Sequence, residues 1–248
     1  MIQLIGLTNI PEIKPGDKLA NIVLSSLYQQ HISLDAGDIL IVAQKIVSKA
    51  EGRLVNLQQI TPSEKAIVLA QKTGHQPAHM EIILREAAEV LRYETGVVIT
   101  RTHHGFICAN SGVDASNVPG ESTVCLLPID PDLSANSLRE DIAHHTGFNI
   151  PIIICDTFGR PWRQGAINIA IGLSGINPMK DYRGKLDSEH IPLKSTQIAI
   201  ADELACAAEL VMNKLDRVPA VIARGYPIVD NRGSVKNMLR NREDDLFL

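Results

Sequence analysis

The stretch IIICDTFGRPWRQG, residues 152–165, runs from an unbroken apolar segment into an aspartate and then into small and basic residues. Earlier in the chain ICANSGVDASNV, residues 107–118, follows the same plan. Each reads as a buried strand that delivers an aspartate, Asp156 or Asp114, into an exposed loop, the place where α/β proteins put ligands. Strands are expected at Gln3 to Leu7, Ile39 to Ala43, Ile150 to Cys155 and in PAVIARGY, with two more joined by a turn at His103 to Gly105 in GVVITRTHHGFICAN. Helical spacing runs from Asp17 to Gln30, with Asp17 as N-cap. TPSEKAIVLAQKTG offers Thr61 as N-cap, Pro62 at the first helical position, Glu64 as the partner of a capping box and an end near Gly74. PAHMEIILREAAEVLRYE, Ser137 to Gly147 and TQIAIADELACAAELVMNKL read as further helices. GRPWRQGAINIAIGLSGINPMKDYRGKLDSEH has little periodicity, and KNMLRNREDDLFL is a charged tail, a short helix or frayed. The interleaving indicates a mixed α/β (α+β) class. No GxGxxG and no Walker A motif is present, so neither a Rossmann nor a P-loop architecture is expected.

The 248 residues are 45% hydrophobic, enough for a sizeable core in one large domain or two modest ones, and the net charge of -4 comes without a long basic run. With only 4% aromatic residues this argues against nucleic-acid binding. The four cysteines, Cys108, Cys125, Cys155 and Cys206, form no CxxC, which disfavours a zinc cluster; three lie in apolar stretches as small buried hydrophobes. No apolar segment reaches the length of a membrane span, and no signal peptide is seen, so a cytoplasmic location is expected.

Asp114 with Asn117, and Asp156 with Thr157, supply the hard oxygen atoms that Mg²⁺ or Mn²⁺ takes alongside substrate phosphates. The plain alternative is that Asp114 closes a turn and Asp156 caps a helix. Arg160 and Arg163, flanking Trp162, suit clamping of a phosphate or carboxylate, or surface ion pairing. Lys45 and Lys49 follow a buried strand and can reach phosphates, or stay solvated. His103 and His104 read as turn residues.

Taken in order, IPEIKPGD, GDILIVAQKIVSKAEGR, HGFICANSGVDASNV, CDTFGRPWRQGAINIAIG, DYRG, ADELACAAELVM and PAVIARGY resemble the GTP-dependent γ-glutamyl ligase family that completes the deazaflavin coenzyme F-420. The resemblance covers the chain from about Leu7 to Tyr226. It implies a single ligase domain over residues 1–248, two lobes in a family-specific fold, an intertwined homodimer and no nitroreductase-like extension. It implies an enzyme that adds L-glutamate to coenzyme F-420-0, with Mg²⁺ or Mn²⁺ (two ions) and room for a monovalent cation such as K⁺. By position, Asp114 and Asp156 resemble ligands of one divalent ion and Thr157 faces a second. Ile10, Pro11, Glu12, Ile13, Gln44, Lys45, Lys49 and Asn117 resemble GTP contacts. Met212 to Pro219 matches a loop that also contacts nucleotide and metal, with Asn213 and Lys214 among the contacts. Family members commonly carry Gly after the Met, where this chain has Asn213.

The implied chemistry needs no protein nucleophile. Phosphoryl transfer from GTP to the acceptor carboxylate would give an acyl phosphate, which the glutamate amine attacks. The alternatives are a metal-dependent phosphohydrolase on the same aspartates, a non-catalytic GTP-binding protein, and a ligase with a different acceptor.

Overall fold

The apolar run Ile152–Cys155 is an inner strand of a five-stranded sheet. A computed structural model describes residues 1–118, 120, 122–228 and 232–246. In chain order the elements are β1 (Gln3–Gly6), α1 (Leu19–Gln29), β2 (Ile39–Ala43), α2 (Gln44–Ala50), β3 (Leu54–Asn56), α3 (Glu64–Thr73), α4 (Pro77–Glu86), β4 (Ala87–Glu94) and β5 (Val97–Thr102). They continue with β6 (Ile107–Ala109), β7 (Thr123–Cys125), α5 (Pro131–Thr146), β8 (Ile152–Arg160), β9 (Arg163–Ser174), β10 (Met179–Asp181), β11 (Gln197–Ala199), α6 (Ile200–Met212) and β12 (Ala220–Arg224).

The main sheet has the order β1-β12-β2-β8-β9. Within it β2 and β8 pair in parallel and the other neighbours antiparallel. Successive side chains of a strand point to opposite faces, yet Ile39, Leu40, Ile41 and Val42 are all fully buried, so both faces of β2 are covered. Each such side chain stabilises the fold by about 1.5–3 kcal/mol. α5 packs so closely on β9 that a Cβ at Gly172 would stand 2.5 Å from the backbone of Pro131. Asp132 on the same helix accepts the Leu173 N–H at 2.8 Å. A second, smaller core gathers Met80, Ile83, Val98, Val113 and Val124 around α3, α4 and β5. The architecture is therefore mixed α/β with two hydrophobic clusters, and among the described residues no helix is long and apolar enough to cross a membrane.

Several expectations are corrected. Asp17 does not cap α1: its carboxylate accepts the Lys14 N–H at 2.7 Å, closing the preceding turn, and Lys18 holds the cap position. α3 starts at Glu64, capped by the Ser63 hydroxyl through the Ala66 N–H, so Thr61, Pro62 and Glu64 make no capping box; Gly74 does end the helix in a left-handed conformation. The helix expected to run through PAHMEIILREAAEVLRYE stops at Glu86, and Ala87–Glu94 pairs with β5 as a hairpin turning at Gly96. Its ladder of hydrogen bonds overrides a locally helical composition. The stretch without clear periodicity holds β9, a 12-residue strand that is buried almost continuously at its C-terminal end and therefore does not alternate. β8 runs on to Arg160, so Asp156 stands within a strand, neither at its end nor on a helix. The Ala-rich helix is limited to Ile200–Met212, and the tail forms two single 3₁₀ turns, Val235–Met238 and Arg242–Asp244.

Candidate functional site

One cavity of about 840 Å³ opens between the main sheet and the smaller core, a size suited to a nucleotide-scale ligand. Segments far apart in sequence line it: Ile10–Ile13 before α1, the start of α2, the loop around Asp114, the middle of β8, Asn168 of β9, and the end of α6 with the loop after it.

β2 passes directly into α2, with extended Ala43 at the junction. Lys45 and Lys49 are one turn apart on that helix and so share a face. Both reach the cavity and both are paired: Lys45 donates to Asp114 and to the Ser116 carbonyl at 2.7 Å, and Lys49 donates to Glu12. Lys49 is only 6% exposed, which removes it from the solvated alternative.

Asp114 lies in an antiparallel bridge with Cys125, placed by the smaller core through its neighbour Val113. Its carboxylate accepts the Ser116 N–H at 2.7 Å, the turn closure considered from sequence, and it also accepts Lys45. Burial pushes its carboxyl up, but the hydrogen bonds from Lys45 and the Ser116 N–H outweigh this and hold it below its ordinary value.

Asp156 is built differently. Between Ile154 and Cys155 the β8–β9 register slips by one residue, a bulge immediately ahead of Asp156 of the kind that re-aims a side chain. Burial, set against one hydrogen bond from the Thr157 N–H and raised further by the charge of Asp114, lifts its carboxyl to about 6. Beside it the Thr157 hydroxyl is held 2.7 Å from Asn168 Oδ1 and accepts from Lys214.

Asn213 begins the α6–β12 loop at φ 48° and ψ -178°, a region that is essentially glycine's. Its side chain donates to Asp216 at 2.8 Å. Asn110, Asn117 and Arg217, also lining the cavity, have positive φ as well.

The structure thus brings Ile10, Pro11, Glu12, Ile13, Gln44, Lys45, Lys49, Asp114, Asn117, Asp156, Thr157, Asn213 and Lys214 to one cavity. Arg160 and Arg163 do not line it. They face each other across the end of the β8–β9 hairpin, where Arg160 donates to the Gln164 carbonyl at 3.2 Å. Sequence reasoning missed Ser116, Asn168 and Glu209. Asn168 had a signal, a lone amide inside the apolar run INIAIG, and Glu209 one turn before the end of α6 pairs with Lys214 at 3.5 Å. Among the described residues no group of three His, Cys, Asp or Glu side chains is placed to hold a metal. Asp114, Asp156 and Thr157 are among the residues that line the cavity, an all-oxygen set that fits Mg²⁺ or Mn²⁺ when phosphate oxygens complete the shell.

The model of the F420-0:Gamma-glutamyl ligase family matches residues 8–225. The coenzyme F420:L-glutamate ligase of Methanothermobacter thermautotrophicus is 43% identical over 249 residues, 99% of this chain and 98% of that protein. The enzyme of the same name from Methanocaldococcus jannaschii is 42% identical over 99% of this chain and 96% of its own length. That of Methanopyrus kandleri is 45% identical over 86% and 83%. The match runs through every cavity-lining segment from Ile10 to Pro219, and the chain belongs to the F420-0:gamma-glutamyl ligase family.

Proposed function

We propose that this chain joins L-glutamate to coenzyme F-420-0 through a γ-glutamyl amide bond, with GTP cleaved to GDP and phosphate. The observation that carries the reading is the convergence of all the residues the family resemblance assigns to nucleotide and metal on one cavity.

A carboxylate is a poor acyl donor, so its oxygen must first become a leaving group. Transfer of the GTP γ-phosphate to the acceptor carboxylate does this, and the glutamate amine then displaces phosphate. Divalent ions, one bound by Asp114 and Asp156 and a second faced by Thr157, would supply charge neutralisation for the phosphate oxygens. Lys45 and Lys49 share one helix face and present ammonium groups to the same space, so they hold the triphosphate in position. Lys45 and Lys49 exchange their present partners, Asp114 and Glu12, for the ligand when it enters. The strand wall of β8 and β9 keeps the reacting atoms against a buried, low-dielectric surface, where such contacts are stronger than in water.

The test is mass spectrometry of F-420-0 incubated with the chain, GTP, Mn²⁺ and L-glutamate. Products heavier by one or more glutamyl units, with GDP released only when acceptor and glutamate are both present, are expected. GTP cleavage at the same rate without them would make the chain a phosphohydrolase, and metal-dependent GTP binding without any turnover would make it a binding protein.

A further inference from the structure

We propose that Asn168 is a positioning residue that turns the Thr157 hydroxyl into an oxygen donor aimed at the cavity. The inference rests on the ligase reading for the identity of the cation.

Asn168 is 3% exposed, yet it is an amide within a strand whose neighbours Ile167, Ile169, Ala170 and Ile171 are apolar. It sits directly opposite Thr157 in the β8–β9 register and also lines the cavity. A buried polar side chain is tolerated only where it is hydrogen-bonded. Its strong side-chain partner is Thr157, at 2.7 Å. The amide nitrogen faces two weak acceptors, Cys155 Sγ at 3.5 Å and Met212 Sδ at 3.9 Å.

The direction of the hydrogen bonds follows from counting protons. Lys214 donates to Thr157 Oγ1, and an ammonium has no lone pair, so it must take one from the hydroxyl. A hydroxyl has one proton, and that proton then has to go elsewhere. Asn168 Oδ1 receives it. The chain Lys214 to Thr157 to Asn168 therefore runs one way, with the proton directed into the sheet and a lone pair left facing the cavity. A divalent cation makes the same demand on the hydroxyl as the ammonium does, because it binds oxygen through a lone pair. Without an acceptor at position 168 the hydroxyl proton would turn toward the cavity and oppose a cation there. The Asn168 backbone is itself tied down, since its carbonyl accepts from Cys206 Sγ at 3.1 Å.

The experiment measures free Mn²⁺ by electron paramagnetic resonance during titration of the chain with GDP present, against a control of GDP alone, together with the Mn²⁺-dependent melting shift. Asn168→Leu keeps the branching at Cγ and the number of heavy atoms and removes the acceptor. It is expected to weaken Mn²⁺ binding by about 10–100-fold, the scale for losing the group that orients a metal ligand. Thr157→Val is expected to weaken it similarly, and the double variant no further, because both act through one oxygen. Asn168→Asp keeps the acceptor and is expected to bind Mn²⁺ at least as tightly as wild type. Should Asn168→Leu fail to fold, Asn168→Ala carries the same expectations. Unchanged Mn²⁺ affinity in Asn168→Leu, additive losses in the double variant, or an equal loss in Asn168→Asp would overturn the inference while leaving the ligase reading intact. Wild type that binds no Mn²⁺ would overturn this inference and the metal site together, whereas wild type that binds Mn²⁺ but adds no glutamate would overturn the ligase reading alone.

Discussion

Asp114 and Asp156 face one cavity from two regions that treat a carboxylate in opposite ways. The smaller-core side gives Asp114 an ammonium, a backbone N–H and a Ser116 hydroxyl, and its carboxyl is held below the ordinary range. The main-sheet side sets a half-buried Asp156 beside a fully buried Cys155, gives it one N–H, and desolvation lifts its carboxyl to about 6. The difference teaches that residue type does not set the charge state. The loop supplies donors because its backbone beyond the Asp114–Cys125 bridge, at Ser116, turns back onto the carboxylate. The strand has already committed its backbone to its neighbours and leaves the carboxylate short of compensation, a deficit that a bound cation removes.

The largest expected effect sharpens the likeness between the two. Asp114→Asn and Asp156→Asn should each lower turnover on the order of 10³-fold, the equivalent of several kcal/mol of charge neutralisation. Each should also lose the melting shift that Mn²⁺ gives wild type by mass action. Turnover that survives in either variant would remove that aspartate from the site.

Stability without metal should then separate them. Asp156 keeps its proton to about pH 6 in the folded chain against 3.8 for the ordinary group, so between those values the folded state binds more protons than the unfolded one. Stability from this group therefore falls as pH rises through that window, by up to about 3 kcal/mol. Asp156→Asn should abolish the fall and melt higher than wild type at pH 7. Asp114 has the reverse sign: its contribution is present above its ordinary value and lost as pH falls. Because Asp114 is 41% exposed, Asp114→Asn should destabilise by no more than about 1 kcal/mol. Equal melting of the two variants across pH 4–8 would break the comparison.

Lys45 bridges the two regions through Asp114, and Lys49 pairs with Glu12 on the main-sheet side. Substitution of either by Met should weaken GTP binding by roughly 1–3 kcal/mol, the scale of a charge-assisted hydrogen bond, measured by isothermal titration. Loss of binding in Lys49→Met with none in Lys45→Met would place the nucleotide on the Glu12 side only. The smallest effects lie in the surrounding backbone. Asn213→Gly should raise stability by up to about 1 kcal/mol, strain relief less the added freedom of glycine. Ser63→Ala, remote from both walls, should cost about 1 kcal/mol of stability with turnover unchanged, while Thr61→Ala should change neither stability nor turnover.

Much of the site was legible because its chemistry is carried by residue types with narrow uses. An aspartate or a pair of lysines following an apolar run can be read locally, whereas the helix α2 that puts Lys45 and Lys49 on one face came from the structure. The central strands Ile39–Ala43 and Ala220–Arg224 were equally plain, since buried strands need unbroken aliphatic runs. The failures share one cause. AAEVLRYE is compatible with a helix and becomes a strand because Val97–Thr102 lies beside it. Arg163–Ser174 shows no alternation because its C-terminal half is covered on both faces.

By itself the sequence determined the mixed α/β class, the family, the aliphatic strands and the identity of the aspartates and lysines that line the cavity, since these depend on composition and local order. Only the tertiary structure decided that Arg160 and Arg163 stand away from the cavity, that Asn168 stands behind Thr157, and that two aspartates of the same type carry opposite shifts. Those outcomes depend on burial and on partners from distant segments, and a charge is stabilised or opposed by what surrounds it in space.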